Sequence, residues 1–448
     1  MKKARAILCG VLAALMLAGC GGQQGGTTLD LKQYAVAQAV YPDYPKRPIE
    51  ADYYRDDGQW DDSAYEADYE KYVDGLRALG KNEERVDTAA LTAFSGNTAA
   101  AIFTTQENTV YSPVSLYVAL SMLTELTDGE TKQQVMDLLG AADAGALRQQ
   151  IKKLWVSVYQ DGDAVCRLAN AAFLRENADV KQSAADTLAQ WYYASSYRVP
   201  MGTEEADRAI ASWLNQQTGG LLAEETGNIR TDAANLLRLY NTIYYKAGWW
   251  EPFKSSRTKA DTFTAADGSE QRADFMHLTE TGDVLRGEGY TAAPKSLKCG
   301  RMVFVLPDEG VTPESLLARD GFLTELTGEY SMADVVWSVP RFDVKTSVDL
   351  KDILKALGVT DAFDGNMADF TPLTDNGAMV NSVMQAARVK IDEEGVEAAA
   401  YTEIVADTTA AEEPPPVVEM NLNRPFLFVI FNSDNVPLFV GTVQMVEG

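Results

Sequence analysis

The sequence predicts an α+β fold. Three observations predict it: helical patterns concentrate early in the body of the chain, strand-like runs concentrate late, and no internal repeat is present. Helices followed by strands segregate into separate layers, whereas strict alternation would give a doubly wound parallel sheet. Taken in order, residues 88–105 (TAALTAFSGNTAAAIFTT) and 112–126 (SPVSLYVALSMLTEL) read as helices. Asp128-Gly129 breaks the chain before a further helix, TKQQVMDLLG. ADRAIASWLNQQTGG is a helix closed by Gly219-Gly220. LLRLYNTIYYKAGW, RMVFVLP, VVWSVPRFDV, ARVKIDEEG and PFLFVIFN read as strands.

Composition removes several functions. The chain of 448 residues carries 65 acidic and 39 basic residues, a formal charge of −26. Phosphate binding needs clustered Lys and Arg, so nucleic acid is not an expected partner. The nearest basic cluster, Arg148, Lys152 and Lys153, reads as a solvated helix face. There is one histidine, His277, and no CxxC or Cys/His spacing, which argues against zinc. His277 lies in FMHLTE with no GxSxG nearby, so it lacks the setting of a serine-hydrolase triad. Walker, GxGxxG and HExxH patterns are missing too. No enzyme activity, cofactor or metal is expected.

The first residues read as a targeting segment. MKKAR is cationic, and ILCGVLAALMLAGC is apolar but too short for a permanent span. The stretch resembles a bacterial lipoprotein signal with Leu17-Ala18-Gly19-Cys20 as the lipobox. That resemblance implies cleavage before Cys20 and lipidation of Cys20; an ordinary signal peptide is the alternative. Acyl chains would hold the protein at a membrane of the cell surface or envelope, at ~0.8 kcal/mol per buried methylene. The expected organisation is a signal at 1–19, a lipidated, Tyr/Asp-rich flexible tether at 20–87 and a globular body at 88–448. GGQQGGTT is a flexible linker. The rest of the tether, with 15 acids and 8 bases from residue 21 to 87, cannot bury a core alone. It is either a spacer or an arm that docks its tyrosines on the body. With Cys9 removed and Cys20 modified, Cys166 and Cys299 remain, expected as two buried thiols, although a pair is open.

One stretch combines a strand pattern with loop flanks. From Val396, alternate residues read Val396, Ala398, Ala400, Thr402, Ile404, Ala406 and Thr408, all small or apolar. The other face carries Glu397, Ala399, Tyr401, Glu403, Val405 and Asp407, and thus every charge. That is the period of a strand with one buried face. Gly395 gives a flexible joint before it, and Pro414-Pro415-Pro416 after it cannot join a strand ladder. It is either an edge strand followed by a loop, or a segment able to be both loop and strand.

From about residue 88 onward the chain resembles the serpins. The resemblance is carried in order by NTVYSPVSLYVALSMLTELTDGET, LANAAFLREN, SWLNQQTGGLL, YNTIYYKAGWWEPF, MVFVLPDEG, SVPRFDVKTSVDLKDILKALGVTDAFD, ADFTPL, KIDEEGVEAAA and NRPFLFVIF. It implies early helices packed around a large central sheet, smaller sheets, and an exposed reactive loop at about 393–416. It implies a suicide inhibitor whose loop is cut by a serine protease and then inserts into the sheet, carrying the acylated protease with it. The hinge would be Glu393, Glu394, Gly395, Val396, Glu397, Ala398, Ala399 and Ala400. Ser112, Ser115, Asn241, Trp249 and Gln385 would form the sheet-opening region. Counting sixteen residues from Glu393 places the scissile bond at Thr409–Ala410. Counting back from Asn423 points near Pro414, a poor protease substrate; insertion length is set on the forward side, so the forward count is adopted. A cut after Asp407 competes with it.

Two residues depart from the family pattern. Val396 stands where Thr is usual, and Gln385 where many members carry His; the Gln amide both donates and accepts. Small residues around the cut suggest an elastase-like or subtilisin-like target. A monomer is expected. A non-inhibitory, binding or chaperone-like surface protein is the alternative, favoured by Pro or charge on the inward hinge face, neither of which this sequence has.

Overall fold

The computed structural model describes residues 29–446 except 43, 56, 80–85, 163 and 398–414. Cys20, Ala398, Ala399, Ala400, Thr409 and Ala410 therefore lie outside the described residues. The chain opens with a short strand, β1 (Ala35–Ala37), and then α1 (Asp62–Ala78), whose first turn is capped by Asp61. The helical half follows: α2 (Thr88–Ile102), β2 (Thr109–Tyr111), α3 (Pro113–Leu126), α4 (Gly129–Leu139) and α5 (Ala144–Val158). Asp87, Ser112, Asp128 and Asp143 cap these four helices, each accepting a backbone N–H of the first turn. Alternating elements come next: β3 (Val165–Arg175), α6 (Gln182–Trp191), β4 (Ala194–Val199), α7 (Glu204–Gln217), α8 (Ala223–Thr226) and β5 (Leu237–Gly248).

The second half is mostly strand: β6 (Lys259–Thr264), β7 (Glu270–Gly287), β8 (Tyr290–Leu297) and β9 (Gly300–Pro307). After the short α9 (Pro313–Leu317) and α10 (Phe322–Glu325) come β10 (Ser331–Pro340), β11 (Phe342–Asp349) and α11 (Lys351–Ala356). The chain closes with β12 (Met384–Ile391), β13 (Gly395–Val396), β14 (Val417–Asn421), β15 (Phe426–Phe431) and β16 (Pro437–Val443). The run VVWSVPRFDV, read as one strand, is two, β10 and β11, parted at Arg341.

Among the described residues a seven-stranded sheet has the order β1-β4-β3-β5-β13-β12-β11, and a nine-stranded sheet runs β14-β10-β7-β8-β9-β15-β16-β2 with β6 beside β7. This is the expected α+β architecture. Helix α3 is buried along nearly its whole length behind the seven-stranded sheet, packed on β5 and β16. His277 sits in the β7 ladder opposite Ser338. Cys166 is buried and Cys299 half-buried.

The described part of the N-terminal segment docks. β1 pairs antiparallel with β4 and so lengthens the seven-stranded sheet at its edge. Tyr41 packs 5.8 Å from both the Trp155 and Tyr193 rings, and Tyr44 stacks on Tyr159 at 3.9 Å. Of the two roles left open by sequence, the arm with docked tyrosines is the one seen for these residues.

Candidate functional site

The hinge residues form a tight turn at the top of the seven-stranded sheet. The Asp392 carboxylate accepts the amides of Glu394 (2.9 Å) and Gly395 (3.3 Å), and the Gly395 carbonyl accepts the Asp392 amide. Gly395 has φ 153°, and a Cβ there would lie 2.3 Å from the Ala247 carbonyl oxygen. Only glycine permits that approach. Trp249, fully buried, ties the turn down: its amide donates to the Glu394 carbonyl and its indole to the Asp392 carbonyl, each at 2.9 Å.

Glu393 is the buried anchor of this turn. Arg341 donates Nε to its Oε2 at 3.0 Å and Nη2 to its Oε1 at 2.5 Å; Thr258 donates to Oε1. Burial alone pushes the Glu393 carboxyl up, but the hydrogen bonds from Arg341 and Thr258 prevail and hold it below the ordinary range. A second ion pair joins a buried lysine to a half-buried glutamate. Lys295, 1% exposed, donates to Glu280 at 2.9 Å and points at the Phe253 ring, 4.8 Å from its centroid. Glu280 also accepts the Trp337 indole at 2.8 Å. Sequence reading missed Arg341, Thr258, Lys295 and Glu280. The interruption of the strand run at Arg341 was the one available signal.

Val396 is already inside the sheet. It pairs with Ala247 on β5 and Ile391 on β12, antiparallel to both, and is 3% exposed. Below it, among the described residues, β5 and β12 form no ladder with each other. They border a strand-wide slot. Gln385 exchanges two 3.0 Å hydrogen bonds with the Ser112 backbone, and the Ser112 hydroxyl caps α3 through the Ser115 amide. Asn241 turns instead to Asn170, donating at 2.5 Å. The expected sheet-opening residues therefore meet at the slot, except Trp249, which belongs to the hinge above. Ser115 Oγ, Asn241 Oδ1 and Thr242 Oγ1 are buried there without a hydrogen-bond partner. Further down, a cavity of about 100 Å³ is lined by Leu120, Leu123, Leu237, Leu239, Phe370 and Val383 among others. Among the described residues no group of three His, Cys, Asp or Glu side chains is placed to hold a metal ion.

This arrangement can accept a strand. A chain continuing from Val396 would find unladdered strand edges on both sides, a passage flanked by Tyr245, Ile243, Ala387 and Val389, then polar atoms, then an apolar cavity. Comparison with known proteins gives a consistent picture. The family model described as "Serpin (serine protease inhibitor)" matches residues 89–445. The chain is 30% identical to Serpin-Z1A of Triticum aestivum over 357 residues, covering 75% of this chain and 89% of that protein. It is 28% identical to Serpin B6 of Macaca fascicularis, covering 75% and 92% respectively. The native-state crystal structure of a thermophilic serpin, Tengpin, superposes with a TM-score of 0.72 at 25% identity, over 80% of this chain and 93% of that one.

Proposed function

The chain belongs to the serpin family, a family of protease inhibitors and not of enzymes, and from that premise we propose that it is a suicide-type inhibitor of serine proteases. The observation that carries the reading is the start of β13 in the slot: Gly395 and Val396 open a strand that has room to continue. At the same antiparallel register, Ala398 would stand between Tyr245 and Val389, and Ala400 between Ile243 and Ala387. Thr402 would stand between Asn241 and Gln385, and Ile404 between Leu239 and Val383. The chemistry matches position by position: small residues in the passage, a hydroxyl beside the unpartnered Asn241 oxygen, and a large apolar side chain at the cavity.

Insertion would be strongly favourable. Burying Ile404 contributes roughly 1.5–3 kcal/mol, and each new strand hydrogen bond about 0.5–1.5. Sixteen residues of strand span roughly 50 Å, enough to carry an acylated protease far from the site of attack. Misplacing its catalytic groups would stop deacylation. We place the scissile bond at Thr409–Ala410, with an elastase-like or subtilisin-like enzyme as partner and a monomer as the acting form. Residues 1–19 act as a lipoprotein signal, and lipid on Cys20 anchors a body beginning near residue 88 to the cell envelope of a bacterium. Mass spectrometry of the membrane fraction tests that anchor: a diacylglyceryl Cys20 supports it, and an unmodified mature N-terminus opposes it.

Cutting the loop and melting the product tests the inhibitory reading. Protein nicked between residues 402 and 410 should melt well above the intact form. An unchanged or lower melting temperature would favour the non-inhibitory alternative.

A further inference from the structure

Glu397 is the last described residue before position 398. It leaves the sheet at φ 48°, a left-handed conformation that a non-glycine residue keeps only when its surroundings impose it. Its amide still donates to the Lys390 carbonyl at 3.2 Å, so the residue remains tied to β12. Its side chain is drawn in with it, and Oε2 is buried with no hydrogen-bond partner.

The charged groups facing this carboxyl are Lys246 on β5, Arg388 and Lys390 on β12, and Asp343 on β11; the Tyr244 phenol of β5 lies beside it. Arg388 is engaged with Asp343 through Nη2 at 2.6 Å. Burial outweighs the pull of the cations and raises the Glu397 carboxyl to about 7. A buried carboxylate with an unsatisfied oxygen is unfavourable, whereas the neutral acid can stay.

We propose that Glu397 is a positioning residue that couples hinge docking to pH: the Gly395–Val396 hinge is seated in the slot while Glu397 is protonated and withdraws when Glu397 ionises. The docked carboxyl is raised above its ordinary value of 4.5. Its contribution to docking is therefore complete below that value and is lost as pH rises through about 7. Between about pH 6 and about pH 8.5 this linkage lowers the docked-to-released ratio about tenfold. Docking is a property of the uncut protein, so it holds or fails apart from protease trapping; its meaning for insertion rests on the function proposed above.

Hydrogen exchange of the full chain reads the docking directly. The amides of Gly395, Val396 and Glu397 are followed at the two pH values, with rates corrected for intrinsic chemical exchange. Protection should fall about tenfold in the native protein and stay level in Glu397→Gln, which keeps the shape without the charge. Glu397→Lys should be poorly protected at both values. Level protection in the native protein, the same fall in Glu397→Gln, or full protection in Glu397→Lys would each overturn the assignment.

Discussion

Arg341 grips Glu393 through both carboxylate oxygens, and Glu393 stands in the turn two residues before β13. The guanidinium is partly open to water while the carboxylate is buried. Removing the arginine therefore leaves a buried anion with a single side-chain donor, Thr258. Arg341→Ala should destabilise the intact protein by roughly 1–3 kcal/mol, seen as a lower melting temperature. Because the Glu393 carboxyl is held below its ordinary range, its contribution is present above the unfolded-state value and is lost as pH falls through the folded-state value. The deficit of Arg341→Ala should thus shrink in acid. A deficit independent of pH would mean that the pair contributes only packing.

Charge on the inward face should turn the inhibitor into a substrate. Ala398→Asp or Ala400→Asp would place an unpaired carboxylate in the slot, at several kcal/mol. Insertion slows, and hydrolysis of the acyl-enzyme takes over. Ala399→Arg, on the opposite face, should be mild. The measured quantity is the number of inhibitor molecules consumed per protease trapped, and equal values at the three positions would reject the alternation.

Thr402 tests the register more finely. Placed between Asn241 and Gln385, its hydroxyl would reach the unpartnered Asn241 oxygen. Thr402→Val should leave the intact form unchanged and lower the stability of the cleaved form by about 0.5–1.5 kcal/mol. Equal losses in both forms would place Thr402 elsewhere.

Part of this site was legible in the sequence. Val396, read as the first residue of the small or apolar face, is buried between Ala247 and Ile391. The rest of that face, Ala398 to Thr408, lies outside the described residues, and Glu397, read on the charged face, has its Oε2 buried. The Ser112 and Gln385 pairing was legible through family resemblance. Glu393 was expected in the hinge and stands in the turn before β13, but its partner was not foreseen, since Arg341 lies 52 residues away in the sequence. The docked arm was one of two readings the sequence left open, and the choice between them had no signal for a different reason. It holds by a three-residue strand and by single tyrosines, Tyr41 and Tyr44, that bind by stacking on distant aromatic rings and leave no periodic trace.

The proposed cut at Thr409–Ala410 sets the expected specificity. No Lys or Arg occurs between Lys390 and Arg424, so a pocket with a carboxylate at its base has nothing to bind. Thr409→Arg should redirect the inhibitor toward trypsin-like enzymes. After reaction with an elastase-like enzyme, the released C-terminal peptide should begin at Ala410 or Ala411. A peptide beginning at Thr408 would select the cut after Asp407.

The most direct measurement is a denaturing gel of the full-length protein mixed with an elastase-like serine protease. Trapping by an inserted loop should give a band that survives denaturation, at the summed mass of the protease and the inhibitor less its released C-terminal peptide, and protease activity should disappear in step with it. A cleaved inhibitor beside fully active protease, with no such band, would contradict the assignment.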